Sequence, residues 1–582
     1  MSNIIQLLCN RFGGIRERNS YFSDELITAH DLQNIELYFT GTNSGIGIRT
    51  SKGNTAKNSE LKDTAKIIKL FESTQQQTKY FFVYAETSTK GTFYYIDSQN
   101  HLTTLKDNLT PTGKANGFDV VQGWSDLFFF TNGAEMFTVE MGTSSNTIVD
   151  MELQDKDGRD VIGINAILFD NRLWIAKDNI LWYSKQADIY EFAESDPEVV
   201  TSAGYIERLK NITAIHEYLG SLAVFFADSS EQISVSDGIF SIGQESPGGC
   251  AGYNSLVFHD TNLYFYDDTK KSVFSFKQVI TGEKTLGENV AVEIQSILNG
   301  IDSRKLDEIQ TCSVFVEGRN EIWWIIPSSE TYDHNKTLYA YVYGTNTIYA
   351  DSPDTPTVLY NSTGGTYSGS DWQIVTGTSS ATIKYGENAA TYTSSSNKTI
   401  KVQKPASIIL IYDYLKGEWI KRKSQKINSV SVVNNTLYSA GNDGFILEEY
   451  TGETFNGDFI QNYYNCSPMN LGQDNTLKVL GISPRVSFDM PYNNQFYVKY
   501  VKNYNTFKNP KIRFIKSKLK NYLYWGIGYW GVNYWADKNT SVIGKLPNAT
   551  FKILEISLYT EKSTETFSIK NIEFSKIKVK QL

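Results

Sequence analysis

Histidine, the side chain most often used for proton transfer and zinc binding, occurs only five times in the 582 residues. The five are His30, His101, His216, His259 and His334. None lies in an HxxH or HExxH phrase, the spacing that places two imidazoles on one helix face around zinc. No GxSxG phrase is present either, so the nucleophile of an α/β-hydrolase is not predicted.

Four short phrases resemble ligand-binding loops but do not complete them. Asp155–Asp160 begins like a calcium loop, yet its twelfth position is Ala166, so a β-turn with solvated charges is predicted. The pair Gly45 and Gly47 lacks the third glycine of a dinucleotide fingerprint. The segments SVSDGIF and SAGNDGFIL resemble Asp-box turns of sialidase propellers but lack the closing tryptophan.

Paired carboxylates for glycoside hydrolysis leave no local spacing signal, because two such groups can meet from distant positions in the chain. The sequence therefore assigns no catalytic, cofactor-binding or metal-ligating residue. We predict a protein that is not an enzyme and that uses no cofactor.

Charge and cysteine usage narrow the class of protein. The chain has 55 Lys and Arg against 64 Asp and Glu, a net charge of −9, whereas proteins that grip nucleic-acid phosphates are usually basic. Cys9, Cys250, Cys312 and Cys466 lie far apart, which predicts four reduced thiols. No apolar run approaches the roughly 20 residues of a membrane span, so a soluble protein made in a reducing cytoplasm is predicted.

The stretch Ala166–Phe192 is the unit that the chain repeats. Its short apolar strands AILFD, NRLWIAK and NILWYSK are separated by an Asp-Asn turn and a Lys-Asp pair. Looser copies recur along most of the chain, and radial repetition of such meanders is typical of a β-propeller. We therefore predict an all-β fold with a propeller of six to eight blades. Only short segments look helical, among them Ser59–Thr74 and Val290–Gln310.

Composition shifts divide the chain into five parts. We expect an N-terminal arm over 1–60 that packs on the C-terminal domain or a neighbour and contains one strand, at NIELYFTG. The propeller is predicted over 61–342 and 405–460. A Thr-, Ser- and Gly-rich insertion at 343–404 is interpreted as a small β-subdomain rather than a flexible linker, because TVLY, WQIV and ATIKY are too apolar for disorder. Residues 461–582 alternate like a β-sandwich.

Two further expectations concern particular segments. The strands EIWWIIPSS and SIILIYDYLKG flank the insertion, so they should be neighbours in one blade. The second segment is an aromatic run near the C-terminus, which either packs under the sandwich or contacts a neighbouring subunit, since interfaces favour Trp and Tyr. Its candidate interface residues are Trp525, Tyr529, Trp530, Tyr534 and Trp535.

The order of several phrases resembles the tail hub, or DNA-stabilisation (tail nozzle), protein of short-tailed bacteriophages. These phrases are SGIGIRTSKG, NRLWIAKDNILWYSKQADIYEF, LGSLAVFFADSSEQISVS, VEIQSILNG, EIWWIIPSS, LIYDYLKGEWIKRK and FKILEISLYTEKSTETFSIKNIEFS. The chain departs from that family at Thr50–Lys52, where an early proline is absent, and in its longer insertion.

The resemblance implies a non-enzymatic hexameric ring in the virion tail, below the portal and adaptor rings. Such a ring retains packaged double-stranded DNA and passes it during ejection without reading its sequence, and it holds a distal needle or fibres. The alternative is a propeller that binds or depolymerises host-surface carbohydrate, with the insertion as the sugar-binding part. A bacterial lectin-like surface propeller is a third interpretation, disfavoured by the lack of an export signal.

Overall fold

The fold is given by a computed structural model of the full chain. The described residues extend from 3 to 581, and for the strands between 331 and 405 only the backbone is described. Outside the described residues lie 1–2, 10, 17–25, 41–44, 63, 143–144, 195, 197–198, 237–238, 277–286, 317, 341–346, 351–356, 362–364, 369–371, 377–380, 386–387, 393–397, 468, 471–476, 492–493, 503–510, 517–521, 524–533, 536–538, 546–549, 552, 563 and 582.

Six strands precede the repeat, where the sequence predicts only one. They are β1 (Asn3–Cys9), β2 (Arg11–Ile15), β3 (Leu26–Gln33), β4 (Ile35–Phe39), β5 (Ile46–Thr50) and β6 (Asn54–Asn58). Phe12 and Ile48 are fully buried, in a core that also contains C-terminal residues such as Phe567. Strands β1, β3 and β5 pair with segments more than 400 residues away and β6 with one about 390 residues away, which a local pattern does not reveal.

Five blades of antiparallel strands follow directly. They contain β7 (Lys66–Gln75), β8 (Thr78–Glu86), β9 (Gly91–Ile96) and β10 (Leu102–Leu109); β11 (Asn116–Gln122), β12 (Ser125–Thr131), β13 (Met136–Glu140) and β14 (Thr147–Asp150); β15 (Asn165–Phe169), β16 (Arg172–Lys177), β17 (Ile180–Tyr183) and β18 (Gly204–Glu207); β19 (Ala214–Tyr218), β20 (Ser221–Phe225), β21 (Ser229–Ser236), β22 (Ile239–Ile242) and β23 (Ser246–Pro247); β24 (Leu256–His259), β25 (Asn262–Asp267) and β26 (Ser272–Ser275). The predicted turn at Asp170 and Asn171 is confirmed, with φ of 52° and 54°.

Blade 6 is interrupted by the insertion. It contains β27 (Gln310–Val316), β28 (Arg319–Ile326), the long β36 (Lys398–Asp413) and β37 (Glu418–Gln425). Seven strands lie between β28 and β36, and the first of them precedes the predicted start of the insertion at 343. They are β29 (Thr331–Ala340), β30 (Thr347–Ala350), β31 (Thr357–Asn361), β32 (Gly365–Ser368), β33 (Trp372–Thr376), β34 (Ala381–Tyr385) and β35 (Asn388–Tyr392). β28 pairs with β36 from Glu321↔Asp413 to Ile326↔Ile408, so the predicted neighbouring strands are confirmed.

Blade 7 joins the two ends of the propeller. It consists of β38 (Ile427–Val433), β39 (Thr436–Gly441) and β40 (Ile446–Glu449), with β6 as its outermost strand. The predicted all-β class and the propeller are thus confirmed, with seven blades. Because β6 comes from the N-terminal stretch, the ring is closed by pairing of residues that are about 390 positions apart in the chain.

The remaining strands build two sheets together with the N-terminal ones and, in addition, one separate two-stranded sheet. They are β41 (Tyr463–Cys466), β42 (Met469–Asn470), β43 (Leu477–Pro491), β44 (Gln495–Lys502), β45 (Lys511–Lys516), β46 (Tyr522–Leu523), β47 (Tyr534–Trp535), β48 (Asn539–Lys545), β49 (Thr550–Phe551), β50 (Ile553–Tyr559), β51 (Ser568–Ile569) and β52 (Asn571–Gln581). One sheet has the order β1-β52-β43-β48 with β49 beside β43. The ten-stranded sheet has the order β4-β5-β2-β3-β41-β50-β44-β45, with β42 and β51 beside it.

One helix prediction is wrong and the other is partly confirmed. The second half of the segment Ser59–Thr74, expected to be helical, belongs to strand β7 (Lys66–Gln75). Ile67 and Phe71 are buried in different clusters on the two sides of this innermost strand, so burial on both faces overrides the helical spacing. Within Val290–Gln310 lie α1 (Gln295–Asn299) and two 3₁₀ turns. In the described part of the chain, no helix is long and apolar enough to cross a membrane.

Candidate interaction groove

A groove of about 1000 Å³ lies between the ten-stranded sheet and one face of the propeller. One wall is strand β4, and the other is formed by the β27–β28 and β36–β37 hairpins of blade 6. The lining residues are Glu36, Leu37, Tyr38, Phe39, Arg49, Phe315, Val316, Gly318, Arg319, Asn320, Glu321, Asp413, Leu415, Lys416, Ile420 and Asn435. In a propeller blade, the turn between the first and second strands and the turn between the third and fourth strands lie on the same face. The groove is lined by these two turns of blade 6, whereas the insertion connects the second strand to the third. The groove and the insertion therefore lie on opposite faces of the propeller.

Glu36 is the centre of the charged network beneath the groove. Its carboxylate accepts hydrogen bonds from Arg49 Nε at 3.0 Å and Nη2 at 2.9 Å, and it pairs with Arg319 Nη2 at 3.1 Å. Burial disfavours the ionised carboxylate, but the guanidinium groups of Arg319 and Arg49 outweigh burial and lower the pKa of Glu36. Glu36 is therefore held as an anion that ties β4 to blade 6.

Arg319 extends this network into blade 7. Its Nη1 donates to Glu321 Oε1 at 3.0 Å, and its guanidinium carbon lies 3.2 Å from the ring centroid of Tyr450. The Tyr450 hydroxyl and the Trp323 indole N–H both donate to Glu321 Oε2, at 2.8 and 3.0 Å. Burial opposes the charge on Arg319, but the surrounding Tyr450, Glu36 and Glu321 raise its pKa. One cation thus joins the N-terminal sheet to two blades.

A second buried pair fastens the strand that closes the propeller. Arg422 Nη2 donates to Glu449 Oε2, and both side chains are almost fully buried. Asn54 of β6 donates to the other oxygen of Glu449 at 3.0 Å. The closing strand is therefore held by side-chain bonds as well as by its backbone ladder.

A Ser–His–Asn chain of hydrogen bonds has the order of a nucleophile, a base and an orienting residue. His259 Nδ1 lies 2.8 Å from Ser313 Oγ, and its Nε2 contacts Asn320 Oδ1. His259 is only 2% exposed, and the ring of Tyr414 packs against it at 5.1 Å. Ser313 is half-buried, but a general base must also reach the reacting groups, so the burial of His259 favours a structural tie between blades 5 and 6. The three residues span 61 positions, so no sequence motif marks them.

The central channel of the propeller is bridged where the innermost strands begin. The Tyr253 hydroxyl of blade 5 donates to the Ala115 carbonyl of blade 2 at 3.3 Å. Lys69 of blade 1 donates to Asn254 Oδ1 at 3.0 Å and to Gln310 Oε1 of blade 6 at 2.9 Å. These bonds cross the axis between non-adjacent blades, so the disc is closed at this end.

The five aromatic residues predicted as a subunit interface are only partly described by the structure. Trp525, Tyr529 and Trp530 lie outside the described residues, while Tyr534 and Trp535 form β47, which pairs in parallel with β46. Their role as a subunit interface stays a prediction.

The Asp155 segment is a hydrogen-bonded turn, as predicted, but its first carboxylate is not solvated, because Asp155 is only 4% exposed and accepts from the Trp182 indole N–H at 3.0 Å. The Asp155 carboxylate accepts from the backbone N–H of Asp157 at 2.9 Å and from that of Arg159 at 3.0 Å. Cys250 and Cys312 form no disulfide bond, Cys466 is fully buried, and the side chain of Cys9 is not among those described. Across the described ranges, no group of three or more His, Cys, Asp or Glu side chains is placed to hold a metal ion.

No protein-family model matches the chain, and no curated protein matches it in sequence. Solved structures with a related arrangement include the computationally designed Ika8 protein, at 10% identity and a TM-score of 0.31, over 67% of this chain and 98% of that one. The WD40 domain of Neurospora crassa Pan2 is 7% identical with a TM-score of 0.30, over 69% and 95%. A quinonprotein alcohol dehydrogenase-like protein from Bacteroides thetaiotaomicron is 11% identical with a TM-score of 0.26, over 50% and 65%.

Proposed function

We propose that the chain is a structural protein of the tail of a short-tailed bacteriophage. It forms a hexameric hub or nozzle ring that binds the portal and adaptor proteins above and a distal needle or fibres below, retains packaged DNA and passes it during ejection. The proposal combines the ordered phrases that resemble that family with the construction of the fold.

The observation that carries it is that strands near the two ends of the described chain pair with one another. Strands within residues 3–58 pair with strands within 446–581, in β1–β52, β3–β41, β5–β51 and β6–β40. A pull on either end therefore loads ladders of antiparallel hydrogen bonds rather than a single loop. Such cross-bracing suits a part that withstands internal pressure more than one that must open around a substrate.

The bridged propeller channel bears on the DNA path in this proposal. Bonds from Tyr253 to Ala115 and from Lys69 to Gln310 cross the axis, which supports a lumen between subunits of the ring rather than inside a propeller. A net charge of −9 fits a wall that repels phosphates and lets the duplex slide. The insertion, on the propeller face opposite the groove, is then available to the adaptor or to the distal tail parts.

The test uses the phage that encodes the chain, with its gene inactivated and supplied in trans. We expect particles lacking the protein to fill with DNA and then lose it, and we expect the purified protein to form closed rings by native mass spectrometry. Trp530→Ala should reduce ring formation while leaving the monomer folded. Trp124→Ala is the matched control, because that tryptophan is fully exposed on a propeller turn.

Three results would contradict the proposal. Particles without the protein could retain and eject DNA normally. The purified protein could remain monomeric at all concentrations. It could also turn over host-surface polysaccharide with saturable kinetics that a single Asp or Glu substitution abolishes, which would establish the carbohydrate alternative.

A further inference from the structure

Strand β4 is an open edge of the ten-stranded sheet. It pairs with β5 and with no other strand of the described chain. Ser51 N–H donates to the Asn34 carbonyl and Thr40 N–H to the Gly45 carbonyl, both at 2.9 Å, whereas Thr50 N–H turns away to Phe567. This alternation of hydrogen bonds shows that the backbone N–H and C=O groups of the even-numbered residues of β4 point toward β5. The backbone N–H and C=O groups of Leu37 and Phe39 therefore point outward.

The outward edge of β4 faces the groove. Four consecutive residues, Glu36 to Phe39, line it, as expected when a strand presents its backbone edge rather than one face. The mouth is apolar, since Phe39 is 57%, Phe315 73% and Leu415 62% exposed. Donor and acceptor groups that repeat every second residue, about 6.8 Å apart, match the backbone of another extended polypeptide.

The charges of the groove select the strand that enters it. Three carboxylates and three cations line it, but the carboxylates of Glu36, Glu321 and Asp413 are only 4–5% exposed. The side chain of Arg49 is 49% exposed. The formal charges balance while the accessible charge is positive, so an acidic group is complementary and a basic strand is repelled.

We propose that the groove binds an extended strand of a partner protein, with apolar residues alternating with acidic ones, by adding it to the free edge of β4. Backbone bonds to Leu37 and Phe39 supply the pairing, and the apolar mouth covers alternate side chains. Arg49 favours an acidic residue in the strand. This inference goes beyond the tail role and does not depend on it.

The test uses a fluorescent, acetylated and amidated peptide, Ser-Val-Asp-Val-Asp-Val-Ser, and the full-length protein in an anisotropy titration. We expect saturable binding that weakens about tenfold when Lys replaces Asp in the peptide or when the central Val is N-methylated. Phe39→Pro should weaken binding to a similar degree, because it removes an outward N–H while keeping the ladder to β5. Phe39→Ala retains that N–H and should lose less.

The N-methylated peptide tests the pairing on the wild-type protein, so the result does not depend on the proline variant folding. Slower amide exchange at Leu37 and Phe39, but not at Glu36 and Tyr38, would accompany binding. The proposal is overturned if the peptide shows no saturable binding up to its solubility limit. Equal binding of the N-methylated peptide, or of the lysine peptide, would also overturn it.

Discussion

The contact between blades 1 and 2 and the junction between blade 6 and the N-terminal strands solve the same packing problem with opposite chemistry. Between the blades, aromatic rings pack directly, with centroids 4.9 Å apart for Phe82 and Phe128 and 4.8 Å for Phe93 and Phe130. At the junction, ion pairs and a stacked guanidinium replace the rings. The aromatic packing between the blades is non-directional, whereas the ion pairs at the junction fix one position of the N-terminal sheet relative to blade 6.

The difference follows from how each contact arises in the chain. Every blade repeats the same meander, so the apolar faces of one blade can pack against both neighbouring blades. The closed ring of the propeller then sets the orientation of each blade. The N-terminal sheet packs on blade 6 and reaches blade 7 through Arg319, and no repeat sets its position. Glu36 and Arg319 supply that position, at the cost that each buried charge depends on its partner.

The first prediction, with the largest effect, concerns the aromatic contact. Phe128→Ala should lower the free energy of unfolding by about 3–5 kcal/mol, because it leaves a cavity among rings that do not rearrange. The loss, measured by denaturant unfolding, should be equal at pH 7 and pH 4.5 and insensitive to salt. Phe315→Ala, at an exposed position, is the control and should change stability by less than about 0.5 kcal/mol. A loss that varied with pH would show that the contact is not purely apolar.

The second prediction concerns the junction. Arg319→Met should cost about 3 kcal/mol at pH 7, because Glu36 and Glu321 are left buried without their shared cation. The pKa of folded Glu36 lies below its ordinary value of 4.5, so its contribution is complete above about pH 4.5 and is lost as the pH falls through the folded value. The penalty of the substitution should therefore shrink in acid. Adding Glu321→Gln should restore part of the stability at pH 7; a purely additive double mutant would contradict the network.

The comparison also separates what the sequence could predict from what it could not. The repeat is legible because its turn chemistry is local, as at Asp170 and Asn171, where both residues adopt positive φ. The pairing of β28 with β36 follows from continuity on both sides of the insertion. By contrast, the pairing of β6 with β40 and the contact of Glu36 with Arg319 join residues hundreds of positions apart. Nothing in the composition of either segment marks its partner.

The candidate groove was missed for the same reason. Leu37 and Phe39 belong to a predicted strand, but only the assembled sheet shows that their backbone edge is open. The Ser–His–Asn chain was equally invisible, because its members come from three strands of two blades. The signal that sequence alone offered was the presence of polar residues in otherwise apolar strands, as at His259 and Ser313.

The third prediction tests whether that polar chain is structural. Ser313→Ala should lower the free energy of unfolding by about 1–2 kcal/mol, because it leaves the buried Nδ1 of His259 without its partner. Ser241→Ala, on an exposed position of β22, should have almost no effect. If Ser313→Ala left stability unchanged but abolished a measurable esterase activity of the wild-type protein, the chain would be catalytic.

The smallest effect, and the one with the opposite sign, is expected at Lys69. Burial lowers the pKa of this ammonium to about 8, and its hydrogen-bond partners are the amide oxygens of Asn254 and Gln310. Between pH 8 and its ordinary value of 10.5 the unfolded chain binds more protons than the folded one, so stability should rise with pH across that window. Below pH 8 the buried charge opposes folding, and Lys69→Met should raise Tm at pH 7 by about 2 °C and flatten the pH dependence of stability.

Lys66→Met, which removes the same charge from an exposed position of β7, is the control and should neither raise Tm nor flatten the pH dependence. Parallel pH profiles for the wild type and Lys69→Met would show that the charge at the closed end of the channel is solvated, and that the axis is less tightly sealed than its cross-ring bonds indicate.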